Sequence, residues 1–181
     1  VGLSNSASQK RFIEARAKAQ GLDNVEIVTL DVNDIERFDQ GPFDRVVSIE
    51  MFEHVKNYER LLAAVAKLLD DDGKLFVHHF AHRRFAYPYE SKDQSDWMSR
   101  YFFAGGQRPS ADLLLSFQRD LTVERRYVVD GTHYQRTCED WLTALDKNRA
   151  AAESTLVSAG RSPDQAHREV ARWRVFVLAC A

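Results

Sequence analysis

The sequence predicts an α/β protein built on a parallel, doubly wound sheet, and three observations predict it. Short β-branched apolar runs alternate with longer stretches in which apolar residues recur every three to four positions. The connections between these stretches are short, as in strand–helix–strand units. One run, Phe43-Asp44-Arg45-Val46-Val47-Ser48-Ile49, passes within a residue into Glu50-Met51-Phe52-Glu53-His54-Val55. Two carboxylates and an imidazole therefore follow a buried strand, where an open α/β sheet gathers its chemistry. If the chain turns helical there, Glu50, Glu53 and His54 lie at i, i+3 and i+4 and share one face. Acids at a helix start also suit the helix dipole, and that ordinary explanation stands beside the functional one.

The elements follow in order. Val1 to Ser6 reads as the end of a strand running into a turn. Ser6 and Gln9 are spaced as a capping box opening a helix to about Gln20, with Gly21 as its stop. Capping accounts for Asn5, Ser6 and Gln9 as well as contact with a ligand does. Val25 to Leu30 is the next strand, ending in Asp31-Val32-Asn33-Asp34. An acid there can accept from an exocyclic amine while the next backbone N–H donates to a ring nitrogen, the pair that an adenine edge presents. Acids at strand ends are more often solvated turn residues.

Beyond the central stretch, Asn57 reads as an N-cap, and Leu61, Leu62, Val65, Leu68 and Leu69 form a helical stripe. Asp70-Asp71-Asp72-Gly73 reads as a solvated turn and Leu75 to Phe80 as a further strand. His78 and His79 point to opposite faces of it, so they make no metal pair. From about 80 to 118 the chain is rich in aromatic residues. That suits a cap over an apolar or cationic substrate, and equally a small satellite core. Ser110 is expected to cap a helix through Leu113, Leu114, Leu115 and Phe117. Leu121 to Val129 is expected as a strand. Thr137 and Asp140 are spaced as a capping box opening a helical C-terminal part at about 137–181, with a last helix from Ser162-Pro163. Trp173 to Ala181 fits either the end of that helix or a strand.

Composition narrows the class. A 44% hydrophobic and 11% aromatic content is that of a folded domain. The net charge of −2 argues against a nucleic-acid partner, which calls for a clustered basic excess. Cys138 and Cys180 have no disulfide or zinc spacing, which fits a reducing, cytoplasmic compartment. No apolar run approaches the ~20 residues of a membrane span. The chain opens on Val1 within what reads as a strand, so it is expected to be a partial domain, cut at both ends.

Several motifs occur in a fixed order: Ser4-Asn5-Ser6 with Gln9, Asp31-Val32-Asn33-Asp34, Asp44 through His54, Trp97-Met98 with Tyr101-Phe102-Phe103 and Gly105-Gly106, Pro109-Ser110 with Asp112-Leu113-Leu114-Leu115, and His133-Tyr134 with Arg136-Thr137. As a linked set they resemble the cyclopropane-fatty-acid synthase superfamily of S-adenosylmethionine-dependent methyltransferases, and within it the coclaurine N-methyltransferase-like subgroup. The resemblance implies a class I, Rossmann-like methyltransferase fold, here lacking the first strand with its glycine-rich loop and the last strand. Without the first strand two interior edges are left unpaired, so the segment alone is expected to be poorly stable and not to bind S-adenosyl-L-methionine.

By that resemblance, Ser4, Asn5, Ser6 and Gln9 line the cofactor near its ribose and amino-acid end, Asp31 and Val32 hold its adenine, and Val47 lies beneath it. Glu53 and His54 serve substrate binding and deprotonation, with Glu50 beside them. In the lipid-modifying relatives, residues matching Glu53, His78 and Tyr134 hold a bicarbonate with a late cysteine, for which Cys180 is the candidate. The leading functional reading is N-methylation of a small amine. The second is methylene or methyl transfer to an unsaturated phospholipid. The third is a non-catalytic remnant acting as an interaction domain. The expected partners are an amine or lipid substrate and, in a homodimer, a second copy of the chain.

Overall fold

Residues 1–93, 96–103 and 105–181 are described by the computed structural model, and they form two units, Val1–Glu124 and Arg125–Ala181. In the first unit, strand β1 (Gly2–Ser4) leads into helix α1 (Ala7–Ala19), strand β2 (Ile27–Thr29) and a 3-10 helix (Val32–Arg37). Strand β3 (Phe43–Ile49) ends in a single 3-10 turn (Phe52–His54), followed by α2 (Tyr58–Leu68) and β4 (Leu69–His78). The expected aromatic segment then carries β5 (Tyr87–Pro88), α3 (Trp97–Tyr101), β6 (Gln107–Arg108) and a 3-10 turn (Leu113–Ser116).

The strands pair in parallel as predicted, but as separate ribbons: β1 with β2 and β3 with β4, while β5 and β6 pair antiparallel. Among the described residues, the second edges of β1 and β3 carry no ladder. Successive β3 side chains alternate between faces. Val46 packs inward and Ser48 is buried, whereas Val47 and Ile49 are each 62% exposed. On β4, Leu75 and Val77 face the core and Phe76 faces out.

The core sits between the inward face of β3 and β4 and the predicted stripe of α2. Tyr58, Leu61, Leu62, Ala64 and Val65 are buried with Ile35 and Phe52, and Leu113, Leu114, Phe117 and Leu121 pack against them. Burial of each large apolar side chain is worth about 1.5–3 kcal/mol. Asn57 caps α2 as expected, its Oδ1 accepting from the Arg60 N–H at 2.9 Å.

Four expectations are corrected. Asp70 to Gly73 is not a turn outside the strand but an irregularity within it: Phe43 pairs with Leu69 and Arg45 with Lys74, so two steps of β3 span five of β4. A Cβ on Gly73 would stand 2.8 Å from the Asp70 carbonyl oxygen and 2.9 Å from that of Phe43. Ser110 does not cap a helix. It forms a bridge with His82, and only a short 3-10 turn follows. Leu121 to Val129 joins no strand ladder among the described residues, with Tyr127, Val128 and Val129 strongly exposed. Its composition suits a strand, but a strand needs a partner. Finally, the helix expected from Thr137 begins at Gly131. Asp130 is the N-cap and accepts from the Thr132 N–H at 2.8 Å, while Thr137 lies inside the helix and donates to the His133 carbonyl.

The second unit is helical: α4 (Gly131–Lys147), α5 (Arg149–Ser158) and α6 (Pro163–Cys180). Trp173 to Cys180 is thus helical rather than a strand. Ser162 and Gln165 form a complete capping box with Pro163 at the helix start. Ala166, Val170, Val177 and Cys138 are buried. Arg174 grips Asp146 through two parallel bonds of 2.8 and 3.1 Å.

Candidate active site at the strand ends

The site is built where β3 stops. Ile49 pairs with His78 in the last rung of the ladder, and the Glu50 N–H extends it by donating to the His78 carbonyl at 2.9 Å. Glu50 then takes φ 53°, the left-handed region, which costs a non-glycine residue about 1–2 kcal/mol. That reversal throws the chain into the Phe52–His54 turn. Phe52 is driven fully inside, stacked on Tyr58 at 5.6 Å, and the Tyr58 hydroxyl donates to the Phe52 carbonyl at 2.9 Å.

Because the turn is a single 3-10 turn and not an α-helix, the predicted common face is only partly realised. Glu53 is buried at 7% exposure, while His54 points to solvent. Glu53 Oε1 accepts from the Phe80 N–H at 2.7 Å, and Oε2 is buried without a hydrogen-bond partner. A buried polar atom left unpaired is costly, and the neighbouring Glu50 carboxyl stands close enough to act on it. Glu50 Oε1 lies 2.8 Å from His78 Nδ1, at ion-pair distance but out of line for a hydrogen bond. Burial and then the neighbouring Glu53 charge push the Glu50 carboxyl above its ordinary range, and the opposing pull of His78 does not cancel them.

The residues after α3 close the other side. A Cβ on Gly106 would stand 3.0 Å from the Glu53 carbonyl oxygen and 3.5 Å from the Tyr89 ring, so only glycine allows this approach without displacement. The Gln107 side chain donates to the Val55 carbonyl at 2.8 Å. Arg108 Nε donates to the Tyr89 hydroxyl at 2.7 Å, and that ring stacks on Phe103 at 4.8 Å. Burial pushes the Tyr89 and Tyr58 hydroxyls up. Phe80, Ser48 (whose buried Oγ also lacks a partner), Tyr89, Gly106, Gln107 and Arg108 were not singled out by sequence as site residues. The Gly105-Gly106 pair inside the aromatic segment was the available signal for the close approach.

The candidate cofactor residues gather at the same, carboxyl end of β1 and β2. The Ser4 carbonyl accepts from the Leu30 N–H at 3.0 Å, so Ser4 stands beside Asp31. The predicted capping box is half made. Ser6 Oγ accepts from the Gln9 N–H at 3.3 Å, but the Gln9 side chain turns to the Ser4 hydroxyl at 2.8 Å, and Asn5 is exposed. Asp31 caps the following 3-10 helix through Oδ1, which accepts from the Asn33 N–H, with Val32 as the first helical residue. Tyr134 and Cys180 belong to the helical unit. Tyr134 lies edge-on to Trp141, and Cys180 closes α6.

Among the described residues no group of His, Cys, Asp and Glu could hold a metal ion, and no helix is long and apolar enough to cross a membrane. A groove of about 550 Å³ lies on the helical unit, but its lining is surface arginines and Arg161 is already paired with Glu169 at 3.0 Å.

Parallel strands with acids and hydroxyls gathered at their carboxyl ends define a Rossmann-like α/β scaffold. Residues 1–180 match the family described as mycolic acid cyclopropane synthetase, and the chain belongs to that family. It is 38% identical over 181 residues to the (S)-coclaurine N-methyltransferase of Thalictrum flavum subsp. glaucum, covering 98% of this chain and 50% of that protein. It is 31% identical over 143 residues to the cyclopropane-fatty-acyl-phospholipid synthase of Escherichia coli K12, covering 78% of this chain and 34% of that protein. The crystal structure of coclaurine N-methyltransferase bound to N-methylheliamine and SAH superposes with a TM-score of 0.90 at 36% identity, over 98% of this chain and 53% of that one. The chain thus spans about half the length of the curated relatives it matches.

Proposed function

We propose that the protein is an S-adenosyl-L-methionine-dependent N-methyltransferase of a small amine, and that Glu53 is its base. The observation that carries this is the Glu53 carboxylate, buried, held through Oε1 and unpartnered at Oε2. An ammonium N–H is the group that such an oxygen accepts. The similarity to an N-methyltransferase across nearly the whole chain supports the same reading.

The strand ends fit the cofactor. Ser4, Ser6 and Gln9 offer hydroxyl and amide groups at one point, Asp31 and Val32 stand at the next strand end, and Val47 presents an exposed apolar surface. Once bound, S-adenosyl-L-methionine supplies an electrophilic methyl group. The chain's own residues do the rest. Glu50 and Glu53 draw the ammonium in. Glu53 Oε2 takes its proton and frees the nitrogen lone pair, and exposed His54 passes the proton on to solvent. Alignment of the lone pair supplies much of the rate.

The lipid reading needs His78 and Tyr134 to hold a bicarbonate with Glu53. Here His78 faces Glu50 instead, which favours the amine. Assays of the full-length protein with benzylic and heterocyclic amines, set against unsaturated phospholipid vesicles, decide between them. Methylated amine is expected, and modification of lipid alone would overturn the reading.

The raised Glu50 carboxyl has a pH signature. The folded state holds this proton more tightly than the unfolded chain does, so stability contributed by Glu50 falls as pH rises from the ordinary carboxylate value through the raised one. Turnover should rise over the same window as the Glu50 carboxylate forms. In Glu50→Gln both dependences should flatten, checked by thermal melts and kcat profiles across pH.

A further inference from the structure

His82 ties together the two ends of the aromatic segment. Its N–H donates to the Pro109 carbonyl at 2.8 Å and its carbonyl accepts from the Ala111 N–H at 2.9 Å, bridging to Ser110. Its side chain holds the outgoing loop as well. Nδ1 accepts from the Arg84 N–H at 3.1 Å and the Phe85 N–H at 2.9 Å. The ring stacks on Phe85 at 5.3 Å and meets Tyr87 edge-on at 6.0 Å. Nδ1 can accept only when it carries no proton, so the ring is held in one tautomer.

Both chain segments joined at this bridge lead straight to Glu53. Two residues before His82, the Phe80 N–H grips Glu53 Oε1. Three residues before Pro109, Gly106 lies against the Glu53 carbonyl. We propose that His82 is a positioning residue for Glu53: its Nδ1 folds residues 82–85 into a fixed turn, the bridge joins that turn to 109–111, and the two together set where the Phe80 amide and Gly106 stand. The proposal rests on Glu53 being the base.

The test separates acceptor from ring. Asn Oδ1 stands as many bonds from Cα as His Nδ1 does, so His82→Asn keeps the acceptor and loses the ring. His82→Phe keeps a ring for stacking and loses the acceptor. In the full-length protein with S-adenosyl-L-methionine, His82→Phe is expected to lose kcat on the order of a hundredfold, with the affinity for S-adenosyl-L-methionine unchanged and faster hydrogen–deuterium exchange in the 80–85 peptide. His82→Asn is expected to restore both turnover and exchange protection. Wild-type turnover in His82→Phe, or equal impairment in His82→Asn, overturns the proposal. If His82→Phe does not fold by thermal melting, His82→Gln replaces it, its acceptor being one bond too long. If the wild-type protein methylates no amine, the amine reading fails by itself. The exchange comparison then still decides the role of His82: unchanged exchange in the acceptor-less variant overturns it.

Discussion

Glu53→Ala in the full-length protein is expected to lower kcat by about two to four powers of ten while S-adenosyl-L-methionine binds as before. The variant removes the oxygen proposed to take the substrate proton and also the partner of the Phe80 N–H. Glu53→Gln separates the two effects. Its amide oxygen still accepts from Phe80 but cannot take a proton, so it should melt near wild type and turn over as poorly as the alanine variant. His54→Ala should also lose orders of magnitude if the exposed imidazole one residue on carries the proton to solvent, as proposed. Steady-state kinetics with calorimetric titration of the cofactor check these outcomes. Near-wild-type turnover in both Glu53→Ala and His54→Ala would remove the pair from the mechanism.

Phe52→Ala is expected to cost about 3–5 kcal/mol of stability, among the largest effects of any single substitution here. Phe52 is 1% exposed, stacks on Tyr58 and sits within the core cluster that joins α2 to the strands. Tyr58→Phe removes only the hydroxyl bond to the Phe52 carbonyl and should cost about 1 kcal/mol. The two residues touch, so the double variant should be less unstable than the sum. Urea titrations measure all three. A loss below ~1 kcal/mol in Phe52→Ala would mean that the turn carrying Glu53 is not anchored by this ring.

The parts of this site that are local in sequence were legible in it. Val46 to Ile49 reads as a buried strand because it is short, apolar and β-branched. The α2 stripe reads as a helix because Leu61, Leu62 and Val65 recur at its period. Glu53 could be singled out by its place after the strand. What was not legible is what comes from a distance or from a backbone choice. The left-handed conformation of Glu50 turns an expected helix face into a short 3-10 turn, and this separates Glu53 from His54. The amide that grips Glu53 belongs to Phe80, 27 residues away. Asp130-Gly131 serves equally well as a turn and as a helix start, and the structure uses it as the latter. Residues 121–129 have the composition of a strand, but whether a strand forms depends on a neighbour that no local pattern records.

The open side of β3 bears on how this 181-residue chain behaves by itself. Seven residues long, this strand shows Val47 and Ile49 to solvent beside an unladdered backbone, and Asp44 and Arg45 at its start are its only charges. Charges along an edge are what keep strands from joining their counterparts in other molecules. The apolar half of β3 has none, so in a solution of this 181-residue chain by itself mispairing between copies would begin there, beside Glu50 and Glu53.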